Sequence, residues 1–455
     1  MTRPEKERKA KQSKDLLLIA AAVVGLWILL ASRDAQAVPS FARQTGMSCT
    51  ACHTVFPELT PFGRTFKLGG YTFSKSSGRY EYPPPFAGGV QLSFTEANGL
   101  KNRIDPFDDS PEARFNFPQA ASLYYAGRII NKVGTFSHLT YDGVSNEVAL
   151  DFADIRYVDG TTLAKTDLVY GFTINNAPTL EDIWNSTPVN RFPYAVSSVA
   201  PTPAAAAIID GALNMQVGGL GAYAYWNDLI YAGATLYRTN RKGITRPLGA
   251  GTDTTVVVDD AAPYWRAALQ HQWKEHSLSL GTFGMVAEIF PNGYTHGSTD
   301  RFTDIALDGE YQYIGEKHIL SAESNWIHEE QDRDASFDLG AAAHRTDFLT
   351  TFRVNLNYYF RSRWGNIGGT LAYFSTTGRK DSLLYAPARD SGSQNGKPDS
   401  NGFILEADYL PLERVRVSLQ YTIYDRFNGA HSNYDGFGRD ASDNNTLYFL
   451  VWLLL

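Results

Sequence analysis

The stretch Arg414–Asp425, RVRVSLQYTIYD, changes character at every residue. Val415, Val417, Leu419, Tyr421 and Ile423 alternate with Arg414, Arg416, Ser418, Gln420 and Thr422. Side chains along a β-strand point to opposite faces in turn, so a period of two predicts a strand with one apolar face and one polar or charged face. Phe348–Phe360 repeats the pattern, with Phe348, Phe352, Val354, Leu356, Tyr358 and Phe360 set against Arg353, Asn355, Asn357 and Tyr359. A third case sets Ile305, Leu307, Tyr311 and Tyr313 against Asp304, Asp308, Glu310 and Gln312.

Working outward from these, sixteen such stretches fall near 87–97, 119–129, 133–142, 147–158, 166–175, 212–225, 228–238, 263–273, 276–289, 302–313, 317–328, 346–360, 364–376, 402–410, 413–425 and 445–455. Within 147–158 the parity changes between the pair Leu150 and Phe152 and the pair Ile155 and Tyr157, as a bulge would make it. Connections after even-numbered strands are short, for example Lys274-Glu275 and Ile314-Gly315-Glu316. Those after odd-numbered strands are mostly long and polar, the one near 143–146 excepted. Short turns at one end and long loops at the other are the asymmetry of outer-membrane barrels, with the turns in the periplasm. A β-sandwich core has no place for Arg414, Arg416, Asp304, Asp308 and Glu310, whereas a water-filled or plugged lumen has. The fold expected for residues 86–455 is therefore all-β, a 16-stranded antiparallel transmembrane β-barrel of porin type.

Composition agrees. Of 455 residues 43% are hydrophobic, 13% aromatic and only 20% charged, yet after residue 31 no apolar run approaches the ~18 residues of a membrane-spanning helix. The start of the chain is different. Arg3, Lys6, Arg8, Lys9, Lys11 and Lys14 precede the apolar run Leu16–Ala31, and Ala35-Gln36-Ala37 follows. A basic head, a short apolar run and a small-x-small triplet predict a secretory signal peptide over 1–37 rather than an uncleaved anchor. The remaining chain keeps 34 basic and 44 acidic groups. That net −10 argues against nucleic acid as a partner.

Directly after the expected cleavage point stands Cys49-Thr50-Ala51-Cys52-His53, the C-x-x-C-H of c-type haem attachment. Two thiols three positions apart can each form a thioether to a haem vinyl group, and the next residue sets an imidazole against the iron. These are the only two cysteines, so neither a disulfide framework nor a four-thiolate zinc site is possible. A thioredoxin-like redox pair would need a βαβ context, which is absent. The expectation is one covalent haem c, held by Cys49 and Cys52 with His53 as proximal ligand of the iron. The other axial position stays open among Met47, a barrel residue such as His138, water, and no ligand. Residues 38–85 form a short monohaem cytochrome c segment, near the limit below which a chain needs outside support to fold. Phe41, Phe56, Leu59, Phe62, Phe66 and Leu68 cover part of a haem, and the barrel is the expected shelter for the rest.

Together, PSFARQTGMSCTACHTVFPELTPFGRTFKLGGY (39–71) and a sixteen-stranded porin resemble the fused monohaem cytochrome–porins of iron-oxidising bacteria, the outer-membrane iron(II) oxidases. The segment from Asn175 through Trp184 to Tyr194 also looks like the long loop of these porins. The resemblance implies extracellular Fe(II) as electron donor, a periplasmic c-type cytochrome as acceptor, and an outer-membrane location among lipid. It carries over no distal ligand and no iron site. Loop acids such as Asp105, Asp108, Asp109 and Glu112 offer hard oxygen ligands that suit Fe(II), although solvated loop surface explains them as well. Two other functions share the same sequence features: a conduit for a different donor or acceptor, and a diffusion porin with a haem-bearing plug.

Overall fold

The computed structural model describes residues 39–78, 83–97, 113–186, 196–239 and 256–455. The expected signal peptide, the acids Asp105, Asp108, Asp109 and Glu112, and residues 187–194 of the long-loop segment lie outside the described residues.

Sixteen long strands form the wall: β1 (Phe86–Ala97), β2 (Ala113–Ile130), β3 (Val133–Asp142), β4 (Glu147–Leu163), β5 (Thr166–Asn175), β6 (Val217–Trp226), β7 (Ile230–Thr239), β8 (Ala262–Trp273), β9 (His276–Phe290), β10 (Asp300–Ile314), β11 (His318–Asp332), β12 (Thr346–Ser362), β13 (Gly365–Gly378), β14 (Ser400–Leu412), β15 (Val415–Arg426) and β16 (Thr446–Leu454). Each pairs antiparallel with the next, and β1 closes on β16 from Gly89↔Leu454 to Ala97↔Thr446. Closure removes the unpaired edge that an open sheet would present. A two-residue strand, Val257–Val258, pairs with the end of β9 just before β8 begins.

The alternation has the sense that a hydrocarbon solvent selects. On β12, Phe352, Leu356 and Tyr358 are exposed on the outside, whereas Thr351, Asn355 and Asn357 are buried. On β10, Ile305 and Leu307 are exposed while Asp304, Asp308 and Glu310 are buried, and on β15 Leu419 and Tyr421 face out opposite Arg416, Ser418 and Gln420. Apolar groups outside and charges inside invert the soluble arrangement, as expected of a barrel that satisfies its backbone internally and faces lipid.

All sixteen expected strands are present, and three differ in detail. β2 starts at Ala113, earlier than the alternation implies, because Pro118 sits in an irregularity between Gln91↔Ala120 and Ser93↔Asn116. A proline cannot donate to a ladder, but a bulge tolerates it. β6 starts later than the expected 212, at Val217, because residues 213–216 instead form a turn that follows the helical turn Ile208–Ala212 on the lumen wall. In β4 the register shifts between His138↔Phe152 and Leu139↔Leu150, leaving Asp151 as the extra residue. The expected bulge is therefore present, and it turns Phe152 into the lumen instead of leaving it beside Leu150 on the apolar face.

Two segments fill the lumen. The N-terminal one carries α1 (Pro39–Thr45), α2 (Cys49–Cys52) and α3 (Pro61–Leu68). The other is the β5–β6 connection. Its Ser186 bonds Asp308 on β10, the backbone N–H of Ile209 donates to Asp304 at 3.1 Å, and Asp210 pairs with Arg353 at 2.5 Å.

Candidate functional site

The N-terminal segment is pinned into the barrel by a few side chains with many donors. Gln44 donates to the carbonyls of Tyr71 and Phe73, both at 2.7 Å, and accepts from the N–H of Arg128 on β2 at 2.8 Å. Tyr71 donates to Asp154 on β4 at 2.6 Å. Arg64, fully buried, donates to both Glu310 oxygens at 2.9 and 2.6 Å, to Gln270 at 2.8 Å and to the carbonyl of Leu59 at 3.0 Å. A guanidinium has five N–H donors in a fixed fork, so one arginine can tie α3 to β8 and β10 at once. On the other side Arg416 meets Glu406 at 2.6 Å and Asp408 at 2.9 Å, and donates to the carbonyl of Phe56 at 2.7 Å. Part of the charged lumen face thus becomes ion pairs, Arg64 with Glu310 and Arg416 with Glu406 and Asp408, that hold the N-terminal segment.

Local geometry positions the cysteines. In the single turn of α2 the N–H of His53 donates to the carbonyl of Cys49 at 2.9 Å, so the thiols at i and i+3 share one face. The N–H of Cys49 donates to Glu413 in the β14–β15 turn at 2.9 Å, which fixes the motif at the short-turn end of the barrel. The chain then turns back. Thr60 caps α3 by accepting from Gly63 N–H at 3.1 Å, its own N–H reaches the carbonyl of Cys52 at 2.9 Å, and His53 bridges to Leu59.

His53 Nδ1 lies 3.2 Å from the carbonyl oxygen of Glu58. With Nδ1 as donor, Nε2 is the nitrogen left to ligate. Burial pushes the imidazole below its ordinary range, against the backbone bonds at Glu58 and Pro57, and so favours the neutral, ligating form. Burial also raises the Cys52 thiol to about 11. The two cysteines are not joined to each other.

Cys49, Cys52 and His53 border one internal cavity of about 770 Å³, and Met47 and His138 border it too. Its wall near the motif is apolar and aromatic: Phe41, Phe56, Phe66, Tyr124, Phe136 and Trp452. Phe56 meets Trp452 edge to face at 5.1 Å, and Phe41 stands between Phe66 at 5.0 Å and Phe136 at 6.3 Å. Of the six apolar residues expected to cover a haem, Phe41, Phe56, Leu59 and Phe66 line this space. Phe62 packs instead on Phe73, and Leu68 joins Ile183 and Trp184 of the β5–β6 connection, because α3 turns those two faces away. No spacing in the sequence marks Tyr124, Phe136 or Trp452, which come from β2, β3 and β16 and meet only on closure of the barrel.

Behind His53, the carboxylates of Glu58, Glu310 and Glu323 have oxygens within 4.8 Å of one another, and all three residues are buried. Arg64 neutralises Glu310, and Thr54 donates to Glu58.

No protein-family model and no curated protein matches the sequence. Among solved structures the chain is similar to Salmonella typhi OmpF in complex with daunomycin, at 12% identity and TM-score 0.45, over 81% of this chain and 97% of that one. It is similar to the outer membrane channel DcaP of Acinetobacter baumannii at 10% identity and TM-score 0.44, over 81% and 96% of the two chains. For an anion-selective porin from Comamonas acidovorans the values are 11% and 0.43, over 81% and 97%.

Proposed function

We propose that the protein is an outer-membrane electron conduit that oxidises extracellular Fe(II) and passes the electron through one covalently bound haem c to a periplasmic c-type cytochrome. The observation that carries this reading is where Cys49-Thr50-Ala51-Cys52-His53 lies: on an internal cavity, at the short-turn mouth of a closed barrel whose lumen is occupied by polypeptide. The residues present fit the group. Two thiols on one face, an imidazole with its Nδ1 already tied and a wall that is aromatic near the motif border a cavity with room for the group. When bound, haem supplies one-electron redox chemistry. The chain does the rest. Cys49 and Cys52 tether, His53 ligates, and Phe41, Phe56, Phe66 and Trp452 keep water from one side of the site. Arg64 and Arg416 hold this arrangement against the wall. The apolar band of exposed side chains suits the outer membrane, and the short-turn end suits the periplasm. Fe(II) as donor rests on the resemblance of residues 39–71.

A second reading, a diffusion porin with a haem-bearing plug, is favoured by one feature. The cavity extends from Leu454 at the turn end to Thr376 and Ser400 at the loop end. Mixing the purified, oxidised protein with Fe(II) in a stopped-flow instrument should give haem reduction within the mixing experiment. Reduction by another donor but not by Fe(II) would move the assignment to a different conduit. Large open-channel currents in a planar bilayer, with the haem intact, would favour the porin.

A further inference from the structure

We infer that His138, on the barrel wall, supplies the second axial ligand, across the haem from His53. The inference rests on the haem attachment proposed above and selects among the ligands that the sequence leaves open.

Position comes first. His53 leans on one side of the barrel, since its partner Glu58 has its carboxylate beside Glu310 on β10 and Glu323 on β11. β3, which carries His138, is eight strands from β11 in a closed ring of sixteen. The two walls therefore oppose one another. His138 and Glu323 are each the sixth residue of their strand counted from the short turn, and both border the cavity that His53 borders.

The ring is also held as a ligand is held. His138 Nδ1 lies 3.2 Å from Thr140 Oγ1 and 3.8 Å from Asp151 Oδ2. Tyr124 stacks on the ring at 5.0 Å and 25°, and Phe152 stands at 5.4 Å. Tying Nδ1 leaves Nε2 for a metal, which is the arrangement His53 has on its own side. The β4 bulge falls opposite His138, and it is this extra residue that sets Asp151 and Phe152 around the imidazole. Bulges are a common means of re-aiming side chains beside a site. Tyr124 shares an apolar cluster with Cys49, which links the surroundings of His138 to the attachment point. Met47 belongs to the same short segment as Cys49, so its sulfur would have to pass around the porphyrin edge to reach the face opposite His53.

The test is spectroscopic and needs no turnover. Wild-type protein, His138→Ala, His138→Gln and Met47→Leu are purified with their haem, barrel formation is checked by heat-modifiable migration, and covalent haem is counted by pyridine haemochrome. Wild type should give a low-spin ferric EPR spectrum of bis-imidazole type and resist carbon monoxide in the ferrous form. Both His138 variants should lose that low-spin signal and bind carbon monoxide, and added imidazole should restore low spin to His138→Ala. Met47→Leu should match wild type. Covalent haem with a spectrum unchanged in both His138 variants overturns this inference alone. A sulfur-ligated spectrum lost in Met47→Leu does the same. A barrel without covalent haem overturns the haem reading and this inference with it.

Discussion

Arg416 Nη1 donates to the carbonyl oxygen of Phe56 at 2.7 Å, joining β15 to the turn three residues past the histidine of the C-x-x-C-H motif. The same guanidinium neutralises Glu406 and Asp408, and all three residues are buried. Removing one partner of a buried ion group leaves the others uncompensated, which costs about 3–5 kcal/mol. Arg416→Met should therefore lower the urea midpoint of the barrel in detergent, with the tryptophan fluorescence transition as the readout. An unchanged midpoint would mean that the carboxylates are already neutral or hydrated.

Arg64 and Glu310 form the matching anchor on the other wall, and their effects should not add. Arg64→Met alone leaves Glu310 buried beside Glu58 and Glu323. Arg64→Met with Glu310→Gln removes the stranded charge as well, and should recover about 0.5–3 kcal/mol of the loss, as coupled neighbours do. Bilayer conductance should rise in the single variant, since α3 loses its tie to β10. Additive unfolding energies across the four chains of this cycle would show that the pair is not coupled.

The wall was legible from sequence because lumen and lipid impose opposite polarity on alternate residues, a contrast plain in β10, β12 and β15 although β16 is apolar on both faces. Strand ends were less legible. Pro118 lies just outside the expected strand 119–129 although a bulge takes it into β2, and the expected strand 212–225 begins only at Val217, after a turn whose N–H groups reach Glu329 and Asp304. The C-x-x-C-H motif is local, so five adjacent letters display it. The cavity is not local. Tyr124 and Trp452 join Cys49 in one cluster, and His138 borders the same cavity, only once register is fixed around the ring, and no spacing in the sequence encodes that. The β5–β6 connection folds inward on single polar residues such as Asp210 and Ser186, which have no periodicity to read.

Acid should loosen the loop end before the wall. Burial alone would raise the Asp381 carboxyl, but N–H groups of Leu384, Leu383, Ala343 and His344 outweigh it and hold the group below the usual aspartate range. A carboxyl lowered on folding stabilises above its unfolded pKa of about 3.9 and loses that contribution as pH falls through the folded value. Proteolysis of the 379–399 connection should thus accelerate below the ordinary aspartate range while the strands stay protected. Asp381→Asn should show the faster cleavage already at neutral pH. Equal rates for variant and wild type at neutral pH would remove Asp381 from the loop's stability.

Gly63 is where the attachment motif and α3 press together. A Cβ built there falls inside contact distance of the Cys52 carbonyl oxygen, and a backbone atom has no rotamer with which to yield. That oxygen also accepts from Thr60 N–H at 2.9 Å, while Thr60 Oγ1 donates to the carbonyl of Ala51 at 2.5 Å. Gly63→Ala must therefore lift α3 from the C-x-x-C turn or break its cap, and overpacking of this kind costs about 1–3 kcal/mol. The barrel does not depend on this contact, so heat-modifiable migration should be retained. Covalent haem per barrel, counted by pyridine haemochrome, should fall several-fold, because the thiols and the imidazole no longer share the cavity in one arrangement. Cys52→Ala gives the limiting comparison, a barrel lacking the normal two-thioether linkage. If Gly63→Ala carries as much haem as wild type, attachment precedes the docking of α3, and the close approach serves only the finished structure.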